Sequence, residues 1–162
     1  PVFDCNSLAQ IDLNSDSSAV CTNGTDVTVP VAVDNCEGNI SAVGTRSDNE
    51  SLNAPWPVGT TTITWTFTDS KNNVASCTQD VVVTDNQAPV FDCNSLAQID
   101  LNSDSSAVCT NGTDVTVPVA VDNCEGNISA VGTRSDNESL NAPWPVGTTT
   151  ITWTFTDSKN NV

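Results

Sequence analysis

The sequence contains no histidine, no methionine and no tyrosine, and only four Lys and Arg residues stand against 20 Asp and Glu. Without His or Tyr, the side chains available for general acid–base work shrink to carboxylates and a very few amines. Carboxylate pairs do serve glycoside hydrolysis, but every acidic cluster here lies in turn-rich sequence, where solvated turn residues are the ordinary occupants. No enzyme is expected. The absence of His also removes mixed Cys/His zinc sites, and none of the seven cysteines falls in a C-x-x-C spacing, which removes the common redox motif. No apolar run approaches the roughly 18 residues that cross a bilayer, so no membrane insertion is expected. A net charge of −16 repels phosphate backbones, so nucleic acid is not an expected partner. The same charge suits hard cations with oxygen ligands.

What the sequence does have is repetition. Pro1 to Val74 recurs letter for letter as Pro89 to Val162, 88 residues further on. Solenoid units are typically about 20–50 residues long, so this period is too long for one. It suits a module that closes its own core. The expected organisation is residues 1–88 as one complete repeat, with a linker at about 84–90, and residues 89–162 as a second, identical repeat that stops before its last strand. The chain is expected to continue beyond Val162; donation of the missing strand by a neighbouring chain is the alternative.

The pattern within one repeat is that of strands. In Thr60 to Thr68, Ile63, Trp65 and Phe67 alternate with threonines, the period of a half-buried strand. Asp26 to Val33 would place Val27, Val29, Val31 and Val33 on one face, with Pro30 opposite at an edge or bulge. Val81 to Thr84 reads as the last strand. Val2 to Cys5, Gln10 to Leu13 and Ile40 to Thr45 are shorter candidates. Clusters of Asn, Asp, Ser and Gly separate these runs, and no segment carries a 3.6-residue apolar period. About seven short strands per unit predict an all-β fold of tandem immunoglobulin-like β-sandwiches. Trp65 is expected in the core. Trp56, between two prolines, is expected at a packed corner rather than on a carbohydrate-stacking platform.

A full repeat holds Cys5, Cys21, Cys36 and Cys77, and the second holds Cys93, Cys109 and Cys124. An even count per unit, with no His, points to disulfides and to an oxidising, extracellular or cell-surface setting. Four cysteines allow three pairings.

Ala54-Pro-Trp-Pro-Val-Gly-Thr-Thr-Thr-Ile-Thr-Trp-Thr-Phe-Thr-Asp-Ser-Lys-Asn-Asn-Val-Ala-Ser-Cys77 resembles the core signature of the hyalin repeat (HYR) domain family, and Val33-Asp-Asn-Cys36 resembles the family's A-x-D-N-C. Two positions depart from it. Asn6 stands where the family has Pro after the first Cys, and Asn72 stands where it has Gly. Asn tolerates the left-handed conformation better than other residues with a side chain, so the turn is expected to survive. The resemblance implies an immunoglobulin-like sandwich in extracellular, often tandem proteins concerned with adhesion. In that topology the first and last strands are neighbours, which favours Cys5–Cys77, with Cys21–Cys36 as its companion. The second repeat would then hold Cys109–Cys124, with Cys93 unpaired in this chain.

The same topology brings the loops after the second and sixth strands to the end where the chain enters. In the second repeat those loops carry Asp122, Asn123 and Asp157, and the linker before them carries Asp85, Asn86 and Gln87. These oxygens suit Ca²⁺, which takes about 6–8 of them, and the linker is similar to the D-N-x-P-x-F junction of cadherins. Asp34, Asn35 and Asp69 are the equivalents in the first repeat. N-x-[ST] sequons fall at Asn23, Asn39, Asn49, Asn111, Asn127 and Asn137 and make glycosylation possible in a eukaryotic setting. The expected function is a structural or adhesive repeat of a long extracellular filament, stalk or surface fibre. Its partners would be further copies of the repeat, in the same chain and in neighbouring chains. The alternative is a carbohydrate- or receptor-binding accessory module of a secreted protein.

Overall fold

The computed structural model describes residues 1–14, 21, 27–101 and 115–162. The chain divides into two compact units, Pro1–Asn86 and Gln87–Val162. The division lies two residues before the expected one, so Gln87 and Ala88 go with the second unit.

The first unit is all-β apart from a 3-10 turn at Cys5–Ser7. Its strands are β1 (Ile11–Asn14), β2 (Val31–Asp34), β3 (Gly38–Ser41), β4 (Val43–Arg46), β5 (Gly59–Thr68) and β6 (Val74–Thr84). Four of them form a sheet in the order β1-β6-β5-β4, in which β1 lies parallel to β6. β2 and β3 form a separate antiparallel hairpin. Both sheets face one core, made of Ala32, Ala42, Trp56, Ile63, Trp65, Phe67, Val81 and Val83, with Phe3, Leu8, Ile11, Leu13 and Ile40 packed against it.

β5 is the clearest case of local pattern deciding local structure. Its alternation buries Ile63, Trp65 and Phe67 completely and leaves Thr64 and Thr68 exposed. Trp65 donates its indole N–H to Gln79 Oε1 at 2.9 Å, which satisfies the ring's one polar atom. Its six-membered ring lies so close to the β4 backbone that a Cβ at Gly44 would stand 2.5 Å from Trp65 Cζ3. Glycine is required there for close approach, and the same relation holds between Gly132 and Trp153. Phe3 stacks on Phe67 with ring centroids 4.8 Å apart.

Several expected elements are corrected. The valine face of Asp26 to Val33 points the wrong way: Val29, Val31 and Val33 are exposed, whereas Ala32 is buried at 1%. The hairpin turn pairs Ala32 with Ile40 and Asp34 with Gly38, and Gly38 takes the positive φ of 79° that the turn needs. That register turns Ala32 and Asp34 inward together, and a one-residue shift in register exchanges the faces of a strand. Beneath side chains as large as Trp56 and Trp65, the small Ala32 fits where a valine would overfill. Asp26 itself lies outside the described residues.

Val2 to Cys5 is not a strand. Val2 makes a single bridge to Val33, and Asp4 accepts from Asn6 N to start the 3-10 turn. Ile40 to Thr45 is not one strand but two, divided at Ala42, whose N–H donates to Pro30 O at 3.0 Å. The chain there passes from the hairpin to the four-stranded sheet. The last strand is much longer than Val81 to Thr84: it begins at Val74 and pairs with all of β5.

In the second unit the described strands are β7 (Val119–Asp122), β8 (Gly126–Ser129), β9 (Val131–Arg134) and β10 (Ile151–Thr154), with a 3-10 turn at Cys93–Ser95. β7 pairs with β8 and β10 with β9. No helix among the described residues is long and apolar enough to cross a membrane.

Candidate cation site at the entering end of the module

Two turns converge at the end of the first unit where Pro1 enters. Asp34 closes β2, and its Oδ1 accepts from Cys36 N at 2.9 Å and Glu37 N at 3.2 Å. These bonds form the β2–β3 turn. Asp69 follows β5; its Oδ1 accepts from Lys71 N and Asn73 N, each at 2.8 Å, and its Oδ2 accepts from Asn73 Nδ2 at 2.7 Å. Asn72 adopts the left-handed conformation at φ 63°, as Asn160 does at φ 68° in the second unit. The Asn-for-Gly departure therefore preserves the turn. Glu37 joins the two turns by accepting from Ser70 N at 3.0 Å and from the Ser70 hydroxyl.

This end attracts positive charge. The Pro1 ammonium sits 2.9 Å from Asp34 Oδ2. Its pKa is raised, chiefly by the hydrogen bond to Asp34 and further by the fields of Asp34, Asp69 and Glu37, against desolvation. Asp34 is lowered by the bond from Cys36 N and by the ammonium. Asp69 is lowered by the side-chain and backbone bonds from Asn73. Asn35 lies exposed in the β2–β3 turn.

The second unit repeats the two turns. Asp122 is buried at 3%, and its Oδ1 accepts from Cys124 N at 2.9 Å and Glu125 N at 2.8 Å. Its Oδ2 is buried and accepts no hydrogen bond among the described residues. Asn123 is half-buried beside it. Asp157 is buried at 5% and accepts from Lys159 N, Asn161 N and Asn161 Nδ2. Burial pushes its pKa up, and the bonds from Asn161, Lys159 and Asn160 more than offset this, so it is lowered overall. Glu125 accepts from Ser158 N at 2.7 Å. Of the linker residues, Asp85 is buried, Asn86 is exposed and Gln87 is half-buried.

The cysteines divide. Cys5 and Cys77 are joined, with Cα atoms 5.5 Å apart and 72 residues between them in sequence. Cys5 sits in the 3-10 turn, and Cys77 lies within β6. The Cys21–Cys36 pairing is corrected. Cys21 is disulfide-bonded, whereas Cys36 is an exposed free thiol. Cys36 belongs to the β2–β3 turn, where Asp34 holds its backbone N–H and its side chain is left to solvent. Cys124 is disulfide-bonded, and Cys109 lies outside the described residues. Cys93 is an exposed free thiol. Among the sequons, Asn39, Asn49, Asn127 and Asn137 are exposed, and Asn23 and Asn111 lie outside the described residues.

Sequence reasoning missed Arg46. Its side chain is fully buried against Asp48, to which it donates from Nε and Nη2. Nη1 donates to Ser51 O at 2.9 Å and Ala54 O at 3.0 Å, and Nη2 to Pro55 O at 3.2 Å. The guanidinium lies 3.8 Å from the centre of the Trp56 ring, which is 1% exposed. Trp56 is thus a packed corner under a cation. Arg134, Asp136 and Trp144 repeat the cluster. The signal was there: Arg46 is the one arginine of an acid-rich repeat and stands two residues from an aspartate.

These features describe an all-β, disulfide-bonded module with an acidic end. The HYR domain family matches residues 1–83, and the chain belongs to that family. It is 35% identical over 169 residues to hyalin of Strongylocentrotus purpuratus, an alignment that covers 99% of this chain and 12% of that protein. No solved structure matches.

Proposed function

We propose that the chain is a structural and adhesive repeat unit of an extracellular filament, stalk or surface fibre, built from immunoglobulin-like sandwiches in tandem. The observation that carries this reading is the letter-for-letter recurrence of an HYR module that encloses its own core. Support comes from the parallel placement of β1 beside β6, which suits a Greek-key sandwich, from the disulfide at Cys5–Cys77, and from a relative of which the chain spans only 12%. Electron microscopy of the native material tests it. A beaded filament with one bead per repeat is the expected result, and isolated globules refute it.

Calcium at the entering end is part of the proposal. The ligands are Asp122, Asn123 and Asp157, with Asp85, Asn86 and Gln87 from the linker and Asp34, Asn35 and Asp69 as the first-repeat equivalents. The buried Asp122 Oδ2, which accepts no hydrogen bond among the described residues, supports it. Calorimetry on the two-repeat chain should show Ca²⁺ binding that an Asp85→Ala/Asp122→Ala variant loses. Absence of binding at millimolar Ca²⁺ removes calcium from the reading and leaves the filament proposal standing.

A further inference from the structure

The two sheets of the module meet water with different side chains. On the four-stranded sheet the exposed residues of β5 include Thr64 and Thr68, whose hydroxyls suit an outward strand face. On the β2–β3 hairpin the outward residues are valines. Val31 and Val33 are 45% and 61% exposed, while Ala32 between them is buried. Val29 is exposed just before them, and Val2, bridged to Val33 as a directly opposed pair, is exposed beside them. Across the hairpin Val31 pairs with Ser41 and Val33 with Asn39. None of these residues is charged, in a chain whose net charge is −16. The second unit builds the same face: Val119 and Val121 are exposed on either side of the buried Ala120, opposite Ser129 and Asn127, with Val90 bridged to Val121. The module itself gains little from valines placed there, because their apolar area stays in water.

We propose that this uncharged valine face docks on the same face of a second copy of the chain. Sheets stacked face to face lie about 10 Å apart with their branched side chains interdigitated, and a two-fold axis makes one such patch complementary to itself. Charge selects the face. Two chains that each carry −16 repel wherever acids meet acids, so an uncharged surface is where they can approach. The period selects the partner. The face recurs 88 residues further on, and a partner that engages both occurrences must repeat its contacts in the same way, as another copy of this chain does. Area sets the strength. Four valines at these exposures present about 300–400 Å², the range of the largest apolar patch on a typical monomer. A standard interface takes about 800 Å² from each partner, so one module falls short and two approach it. Association is therefore weak for a single module and strengthens with the number engaged. This face gives the neighbouring chains of the filament reading a place to meet, and it rests on that reading for their supply.

Sedimentation velocity of the 162-residue chain tests the face, in EDTA to prevent cation bridging and with the exposed thiols blocked by iodoacetamide. The expected result is a reversible monomer–dimer equilibrium that strengthens at least tenfold between about 0.01 M and 1 M NaCl, as the Debye length falls from about 30 Å to about 3 Å and the repulsion is screened. Val31→Thr/Val33→Thr/Val119→Thr/Val121→Thr keeps side-chain shape and strand propensity. Its urea midpoint should stay unchanged while its association constant falls at least tenfold. Val43→Thr/Val131→Thr alters valines that are still more exposed, at 68%, but lie on β4 and β9; it should leave association intact. A chain that stays monomeric at every salt concentration, association that weakens with salt, or equal loss in both variants overturns the proposal. So does binding to phosphatidylcholine vesicles without self-association. Peptide mapping of the native material adds a further check, because a glycan at Asn39 and Asn127, opposite Val33 and Val121, would cover the face and refute the docking. A beaded filament in the microscope together with a monomeric 162-residue chain refutes this face and leaves the filament reading standing.

Discussion

Replacing Arg46 and Arg134 together by alanine tests the buried cluster that sequence reasoning overlooked, with both repeats changed alike. In the first repeat the substitution strands the Asp48 carboxylate and removes the donors to the carbonyls of Ser51, Ala54 and Pro55. It also takes the cation off the Trp56 ring. Breaking one partner of a buried ion pair costs about 3–5 kcal/mol, and a desolvated cation–π contact contributes up to about 2 kcal/mol. The Asp48 side chain is 27% exposed, so water recovers part of the loss. A net destabilisation of about 3–5 kcal/mol results. With a urea m-value of about 1 kcal/mol/M for a domain of this size, the unfolding midpoint falls by about 3 M or more. Tryptophan fluorescence reads it directly, because Trp56 and Trp144 lie under the two guanidinium groups. Arg46→Lys/Arg134→Lys keeps the charge but loses the planar fork, and should fall between the wild type and the alanine variant. A loss below about 1 kcal/mol for the alanine variant, the scale of an exposed surface pair, would refute the claim that this cluster holds the corner together.

Gly44→Ala forces a methyl group to within 2.5 Å of the Trp65 ring; a loss of about 1–3 kcal/mol is expected from overpacking, visible in the midpoint and in the near-ultraviolet dichroism of the tryptophan. Cys5→Ser opens a loop spanning a sequence separation of 72 residues and should cost about 4 kcal/mol by chain entropy, checked by thermal unfolding against the oxidised wild type. Asn72→Gly should leave stability within about 0.5 kcal/mol, whereas Asn72→Val at φ 63° should cost about 1–2 kcal/mol. The pH dependence follows from the lowered carboxylates Asp34, Asp48, Asp69, Asp136 and Asp157. A depressed folded-state pKa contributes stability above the unfolded value that is lost as pH falls through the folded one, so unfolding should set in below about pH 4. A urea midpoint that stays flat down to about pH 2 would contradict the carboxylate assignments.

The strands that were legible in sequence are those whose partners bury one face and leave the other in water. Thr60 to Thr68 is the clear example: its alternation matches the burial of Ile63, Trp65 and Phe67 residue for residue. The acidic turns were legible for a different reason, since Asp34 and Asp69 organise their loops through bonds to neighbours two to four residues away. Where local pattern misled, a long-range constraint had decided. The four valines of Asp26 to Val33 are a stronger apolar signal than Ala32, yet a hairpin register set by Asp34 and Gly38 turned Ala32 inward. Val74 to Gln79 reads as polar because its outward residues dominate, but it belongs to the last strand because β5 offers it a complete ladder.

By itself the sequence determined the period, the all-β class, the family and the residues of the acidic end, because each depends on spacing along the chain or on contacts within a few residues. Only the tertiary structure decided which face of β2 points inward, that Cys36 stays a free thiol, and that Arg46 closes the corner over Trp56. Each of these rests on contacts between residues far apart in the chain or on the register of a hairpin, which a local pattern does not carry.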